Sequence, residues 1–227
     1  MGPLPVPLPL DEALRRLGQR RRIEAGHVLL SEGKPPLAVY VVETGALALA
    51  MTGPSGNRIV LGILGPGAVF GEQSLCEPDV PIAPTEGGLP LLPECRAVLP
   101  CQIVAFDTRD LSEAMGEHPE LARWLAASLS GRVEELHRSL ARALSLRLPE
   151  RTLDLLIALA GSWGRASRLG TGIEVPLTQD DLAAMLGVTR ESVNRAVRAL
   201  ERSGAISRSG RRYVVSPDGS AKEKRSP

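Results

Sequence analysis

The chain has few of the residues that mark several large classes of protein. Aromatic side chains make up 3% of its 227 residues, and its three cysteines cannot pair into a full disulfide framework. No run of about 18 apolar residues is present, so we expect no membrane-spanning helix. Residues 1–9 lack basic side chains and are interrupted by prolines, so we expect neither a signal peptide nor an anchor there. These absences favour a cytoplasmic protein without a membrane partner.

Charge is nearly balanced overall, at +1, but it is unevenly distributed. Residues 178–227 contain ten Lys or Arg and six Asp or Glu, whereas the rest of the chain contains 17 and 20. Neutralisation of phosphates supplies much of the affinity of proteins for nucleic acid. A basic module attached to an acidic body is therefore typical of a DNA-binding protein with a separate controlling domain. The length allows two domains, each with its own core.

Two short helices around a tight turn are predicted between residues 178 and 202. Thr178 can cap the first helix and form a capping box with Asp181 three residues later, and Thr189 can cap the second helix. Residues 186–188 would form the turn. At about 100° per residue, the second helix separates an apolar side from a charged side. The apolar side consists of Val193, Ala196, Val197 and Leu200, and the charged side of Arg190, Glu191, Asn194, Arg195 and Arg198.

The charged side has the groups that distinguish bases in DNA. An arginine fork matches guanine O6 and N7, and a carboxylate can accept from cytosine N4. The first turn of a recognition helix points into the major groove. Base contacts are therefore predicted from Arg190, Glu191, Asn194 and Arg195, and backbone contacts from Thr178, Thr189, Ser192, Arg198, Arg211 and Arg212. The alternative interpretation is a solvated helix face without a ligand.

Two short alternating runs follow the second helix and surround Ser209 and Gly210, which is typical of a β-hairpin. This hairpin would form a wing that brings Arg211 and Arg212 close to phosphate. Residues 149–227 are therefore predicted to form a winged helix-turn-helix DNA-binding domain.

The amino-terminal half consists of short apolar runs separated by glycine. Strands are predicted at residues 28–30, 38–42, 46–50, 59–64 and 102–106, with turns near residues 33, 45, 54–57 and 65–67. Their spacing predicts an antiparallel β-roll or barrel, to which we assign residues 10–118.

A long helix is predicted between the two domains, over residues 119–148. Apolar residues recur there by fours and threes in a stretch free of proline, as in a heptad seam. The seam consists of Leu125, Leu129, Val133, Leu136 and Leu140. About three heptads are marginal alone, so a second copy of the chain is expected to complete the seam as a homodimer. The alternative is a helix packed on its own domain. Pro149 should end or kink the helix, and the fold class is α+β.

A glycine-spaced β-roll, a seam helix and a winged helix-turn-helix in this order resemble the cyclic-AMP receptor protein (Crp/Fnr) family of bacterial transcription regulators. The motif that carries the resemblance is LTQDDLA at 177–183 followed by GVTRESVNR at 187–195. The resemblance implies that Arg190, Glu191 and Arg195 contact bases of a palindromic operator in double-stranded DNA, with half-sites about one helical turn apart. It also makes RNA polymerase a candidate partner.

The same resemblance implies an effector motif at residues 70–72, where Gly71 and Glu72 would begin a phosphate cassette. In nucleotide-binding relatives the glutamate bonds the ribose hydroxyl, and a later arginine neutralises the cyclic phosphate. In this chain, residues 76–94 form an insertion, and the position of that arginine falls at Leu91. In an alternative register, Arg96 is the phosphate arginine.

Two further positions depart from the nucleotide-binding relatives. Their adenine-contacting hydroxyl residues fall here at Leu136 and His137. A buried phosphate without its arginine would be an unpaired charge, which costs several kcal/mol. We therefore expect that cyclic AMP is not the signal and that the protein uses no cofactor. The competing hypothesis is a roll that binds a cyclic nucleotide or another small molecule and gates the DNA-binding half.

Other sensing chemistries have less support in the sequence. An iron-sulfur cluster of the kind found in some relatives needs four cysteines. The three histidines, His27, His118 and His137, show no spacing that indicates a haem site. No metal site is expected either. Cys76, Cys95 and Cys101 could provide a redox pair, although such cysteines are more often small buried hydrophobes. Regulation by abundance alone is a further alternative. No sequence signature of an enzyme is present, so no catalytic activity is expected.

Overall fold

The computed structural model describes residues 17–54, 56–75 and 92–217. Cys76, Leu91 and the outer ends of the two predicted domains lie outside the described residues. The chain divides into two compact units, and the division falls between Glu134 and Glu135. No described helix is long and apolar enough to cross a membrane.

The first unit contains eight described strands in two antiparallel sheets, which confirms the predicted β-roll. The strands are β1 (Gly18–Ile23), β2 (Val28–Leu30), β3 (Ala38–Thr44), β4 (Leu47–Thr52), β5 (Arg58–Leu64), β6 (Val69–Phe70), β7 (Glu94–Ala97) and β8 (Cys101–Asp107). One sheet has the order β1-β8-β3-β6 and the other β2-β7-β4-β5. A 3-10 turn, Glu72–Leu75, follows β6 directly.

Strand alternation places one apolar cluster inside the roll and another on the outer face of the first sheet. In β8, Ile103 and Ala105 belong to the inner cluster, whereas Val104 and Phe106 belong to the outer one. Helix α1 (Thr108–Glu117) and the start of helix α2 (Pro119–Ser145) contribute Leu111 and Trp124 to the outer cluster. The period of two in a strand explains how β8 serves both clusters.

The long helix ends four residues before Pro149, close to the predicted position. Helix α2 ends at Ser145, and helix α3 (Leu148–Trp163) begins with the proline in its first turn. Proline is tolerated there because the amide it lacks would have no partner within the helix. The Arg147 amide donates to Glu150 Oε2 over 2.9 Å, so α3 starts at a fixed residue.

The second unit combines helices with a four-stranded sheet. Its further elements are β9 (Gly164–Ser167), β10 (Gly170–Ile173), α4 (Gln179–Leu186), α5 (Arg190–Arg202), β11 (Ile206–Ser209) and β12 (Arg212–Val215). The sheet has the order β11-β12-β10-β9. The two predicted helices and the wing hairpin are confirmed. The hairpin of β9 and β10 is not predicted, because its glycine-rich strands lack an apolar alternation.

Candidate DNA-binding site

The first helix of the motif, α4, begins at a reciprocal cap. The Asp181 amide donates to Thr178 Oγ1 over 3.1 Å, and the Thr178 amide donates to Asp181 Oδ2 over 2.8 Å. The first-turn amides of a helix have no partner within the helix, so this exchange stabilises the helix start. It also orients Thr178, a predicted backbone contact, at the edge of the site.

The turn between the helices depends on Gly187. This residue has φ of 65°, a left-handed conformation that a glycine adopts without strain, and its amide bonds to Ala183 O. On the other side of α4, Arg151 of α3 donates to Leu186 O over 2.7 Å. The last turn of α4 is therefore held both by the amide of Gly187 and by Arg151 of α3.

Helix α5 is divided into two faces as its sequence predicts. Val193, Ala196, Val197 and Leu200 are all buried. Arg190, Glu191, Arg195 and Arg198 are exposed, and Asn194 is half-buried. Burial of the apolar stripe leaves the predicted base-contacting groups on the opposite, accessible face of the helix.

A chain of hydrogen bonds orders the first turn and a half of α5. The Ser192 amide donates to Thr189 Oγ1 over 3.3 Å, and the Thr189 hydroxyl donates to Ser192 Oγ over 3.0 Å. Arg195 Nη2 donates to the same Ser192 oxygen over 3.0 Å. The two predicted backbone contacts thus orient a predicted base contact, which reduces the entropy that Arg195 would lose on binding.

A cleft of about 350 Å³ lies between the amino-terminal end of α4, the start of α5 and the wing. Thr178, Arg190 and Arg211, three of the predicted DNA contacts, line it together. The Leu177 amide donates to Arg211 O over 3.1 Å, so the wing is joined to the residue before the α4 cap. Arg212 is exposed at the start of β12.

Two charged residues that line the cleft, Asp180 and Arg208, are absent from the predicted site. Asp180 Oδ2 lies 3.4 Å from Arg190 Nη1, and Arg208 Nε lies 3.5 Å from Glu201 Oε1. Asp180 and Arg190 lie on different helices, so helical periodicity does not relate them. Their contact becomes visible only when the packing of the two helices is known. The sequence signal for Arg208 is its place in the basic hairpin, beside the two predicted arginines.

In the β-roll, the effector motif contains a glycine that no other residue can replace without strain. Gly71 has φ of 79°, and a Cβ at this position would overlap Ala38 O. The residue that follows, Glu72, accepts a hydrogen bond from Arg132 of α2, and Arg132 also donates to Val69 O over 3.1 Å. Glu72 Oε2 is buried and has no hydrogen-bond partner among the described residues.

Arg96 is not brought together with Glu72. It lies in β7, where the neighbouring residues Cys95 and Ala97 point into the roll and Arg96 points to the opposite face. Its Nη2 donates to Glu94 Oε2 over 2.8 Å, which holds the pKa of the Glu94 carboxyl below its usual range, and Nη1 donates to Gly26 O. Strand alternation therefore places Arg96, the phosphate arginine of the alternative register, on the face of β7 opposite the interior of the roll.

The two described cysteines are buried in the core of the roll as free thiols. Burial raises the pKa of Cys95 to about 12 and also raises the pKa of Cys101. The thiolate is the reactive form of cysteine, and it is scarce at neutral pH when the pKa is this high. Neither thiol has the lowered pKa of a redox sensor. Among the described residues, no cluster of three or more His, Cys, Asp or Glu is placed to hold a metal ion.

Helix α2 changes its surroundings along its length. Leu121 and Trp124 are buried, and Leu125 packs against the outer cluster of its own roll, as the alternative interpretation of the seam allows. Leu129 is half-buried. Beyond it, an apolar stripe is exposed, with Val133 at 49%, Leu136 at 51%, Leu140 at 59% and Leu144 at 81%. The exposed stripe therefore begins at Val133, which is the third residue of the predicted seam.

Two models of known protein families match the chain, one for each half. Residues 20–118 match the cyclic nucleotide-binding domain, and residues 150–220 match the Crp-like helix-turn-helix domain. The chain belongs to the CRP/FNR family of transcription regulators. It thus combines a DNA-binding helix-turn-helix with a cyclic-nucleotide-binding-like domain, and the predicted family is confirmed.

Relatives of this CRP/FNR protein differ in what their names say they respond to. A CRP-like cAMP-activated global transcriptional regulator of Mycobacterium tuberculosis is 27% identical over 191 residues, with 84% of this chain and 81% of the relative covered. A global nitrogen regulator of Synechococcus elongatus is 26% identical, with 87% and 85% covered. The structure of a CRP/FNR-family transcriptional regulator from Thermus thermophilus has a TM-score of 0.73 at 24% identity, covering 90% and 97%. The last likeness shows the fold.

Proposed function

We propose that this CRP/FNR protein is a homodimer that binds a palindromic DNA operator with sequence specificity and without cyclic AMP. The observation that carries the proposal is the exposed face of α5. On that face, Arg190, Glu191 and Arg195 project from the first two turns of a helix whose other side is buried. The proposal includes no enzymatic activity and no cofactor, and it includes RNA polymerase as a partner at the promoter.

The exposed stripe on α2 supports the homodimer. Large apolar side chains at heptad spacing on an exposed helix face are removed from water when a second helix packs against them. The stripe from Val133 to Leu144 has this spacing, and a two-fold related copy would present the same stripe. Two α5 helices related in this way would match a palindrome with its half-sites about one helical turn apart.

Independence from cyclic AMP is supported by the residues at the adenine positions. Leu136 and His137 replace the hydroxyl residues of the nucleotide-binding relatives, and Leu136 belongs to the exposed stripe. A leucine offers no hydrogen bond to the adenine edge, so this part of the contact is lost. Arg96, the alternative candidate for the phosphate, points away from the interior of the roll.

The decisive experiment is selection of bound sites from random DNA by the purified full-length protein without any effector. We expect enrichment of a two-fold symmetric sequence with half-sites related to TGTGA, the half-site of the resembling family. The same selection in the presence of cyclic AMP should return the same sequence with the same enrichment. The proposal fails if no sequence is enriched, or if enrichment requires the nucleotide.

A second candidate function is an effector-gated regulator, and one observation favours it. Glu72 Oε2 is a buried acceptor without a described donor, which is a costly arrangement that a ligand hydroxyl would relieve. Arg132 places a guanidinium beside it, a cation that the sequence does not predict there. Titration calorimetry with cyclic AMP and with cyclic GMP separates the candidates. Binding with a Kd of about 1 μM or tighter, abolished by Glu72→Ala, would replace the first proposal with this one.

A further inference from the structure

Asp180 forms an ion pair with a predicted base contact. This residue lies in the first turn of α4, and its Oδ2 is 3.4 Å from Nη1 of Arg190 at the start of α5. The side chains are 66% and 67% exposed, so the pair lies at the surface of the motif and not in its core. Operator DNA would therefore compete directly with Asp180 for the same guanidinium.

The side-chain cap of α4 does not involve Asp180. The capping carboxylate is Asp181, which exchanges hydrogen bonds with Thr178 on both its main-chain and side-chain atoms. Asp180 is exposed, whereas the buried residues of α4 are Leu182, Ala183 and Leu186. Its described ion pair is with Arg190, and the cap of α4 does not account for that pair.

The carboxylate of Asp180 opposes the charge of the cleft in which it lies. Arg190, Arg208 and Arg211 line this cleft, and Asp180 is the single carboxylate among the described residues that line it. A phosphate that approaches these arginines also approaches Asp180. Like charges repel whatever the base sequence is, so this repulsion weakens binding to every DNA.

We propose that Asp180 is a specificity-determining residue of the DNA-binding site, because it holds Arg190 until a base replaces it. This inference rests on the proposed function, since it requires that Arg190 contacts a base. Guanine offers Arg190 two acceptors, O6 and N7, in exchange for one carboxylate contact. Non-operator DNA offers no such pair of acceptors at that position, so Arg190 stays with Asp180 and the ion pair is not broken.

The test compares Asp180→Asn with the unchanged protein on the selected operator and on random DNA of equal length, at one salt concentration. Exposed ion pairs are weak, so we expect binding to the operator, which must break the pair, to tighten about two- to fivefold for each protomer. Binding to random DNA should change less, so the ratio of operator affinity to random affinity rises. Glu174→Gln is the matched control, since it removes one exposed carboxylate of the same unit.

A second pair of variants isolates the contact with Arg190. In an Arg190→Ala background, Asp180→Asn should change the affinity ratio less than it does in the unchanged protein, because the ion pair is already absent. Thermal unfolding of each variant verifies that the domain is folded, and Asp180→Ser gives an independent replacement of the same charge.

The outcomes distinguish this inference from the proposed function. If Asp180→Asn tightens binding to both DNAs equally, as a simple change of net charge would, Asp180 does not determine specificity and the inference is overturned. If Arg190→Ala alone weakens both DNAs equally, Arg190 contacts no base and the proposed function fails at that residue. An increased ratio for Asp180→Asn together with an unchanged ratio for Glu174→Gln supports the inference.

Discussion

Arg142 Nε of α2 lies 2.6 Å from Asp154 Oδ2 of α3, across the break between the two helices. The side chains are 29% and 18% exposed, and Arg142 Nη1 also lies 3.4 Å from Glu135 Oε1. A charged hydrogen bond that is partly shielded from water is screened less than one at the surface. The pair therefore fixes the end of α2 against α3.

Asp154→Asn should lower the free energy of unfolding by about 1.5–3 kcal/mol, because it removes the charge from a partly buried hydrogen bond. Urea unfolding followed by circular dichroism measures this loss. Glu113→Gln is the control, since its pair with Arg109 is 66% and 85% exposed and should contribute less than about 1 kcal/mol. Equal losses in the two variants would show that the Arg142 pair has no special weight.

Base contacts and backbone contacts should respond differently to replacement. Arg190→Ala and Arg195→Ala should each lose about 1–3 kcal/mol on the operator and relax the preference at one base pair. Arg211→Ala should weaken binding to all sequences and lower the slope of log affinity against log salt by about 1. Anisotropy titrations on operator and random DNA at several salt concentrations measure both effects. If all three variants behave alike, the predicted division of roles is wrong.

Leu140→Asp should convert the proposed homodimer to a monomer at micromolar concentration, because it places a charge in the exposed stripe of α2. Analytical ultracentrifugation measures the change, and operator affinity should fall with it. Leu169→Asp is the control, since Leu169 is 75% exposed but lies in the turn between β9 and β10. A variant that stays dimeric would exclude the stripe as the interface.

Gly71→Ala should destabilise the roll by more than about 1 kcal/mol, because a left-handed backbone strains alanine and the new Cβ would meet Ala38 O. Gly62→Ala is the matched control. Gly62 has no positive φ, and a Cβ there would meet nothing within 4 Å, so this variant should change stability by less than about 1 kcal/mol or increase it. Thermal unfolding compares the two. A tolerated alanine at Gly71 would contradict the described turn.

The pKa of Cys95 predicts a pH dependence of stability. Burial raises this pKa from 9.0 to about 12, so the folded state retains a proton that the unfolded state loses. The contribution of the thiol to stability is therefore complete below about pH 9 and is lost as the pH rises toward about 12. Cys95→Ala should remove this part of the alkaline decrease. In a Cys76→Ala variant, the native protein should also resist alkylation near neutral pH, whereas fast alkylation would revive the redox hypothesis.

The helix-turn-helix can be predicted from the sequence because its determinants are local. Thr178 and Asp181 are three residues apart, and the buried stripe of α5 follows helical spacing. By contrast, β1 escapes prediction because its sequence, GQRRRI, lacks apolar alternation, and the strand is stabilised by pairing with β8 in the register Gly18↔Phe106. The contact of Arg132 with Glu72 escapes prediction for the same reason, since the two residues are 60 positions apart.

The pairing of β1 with β8 also determines when the sheet can form during translation. Because Gly18 pairs with Phe106, the sheet that contains both cannot close until nearly the whole roll has left the ribosome. Closing so long a loop is slow, and the apolar strands between the two partners stay open to other nascent chains in the meantime. The carboxyl-terminal sheet closes a shorter loop, between Thr171 and Val215, so we expect this domain to form sooner after its last strand emerges.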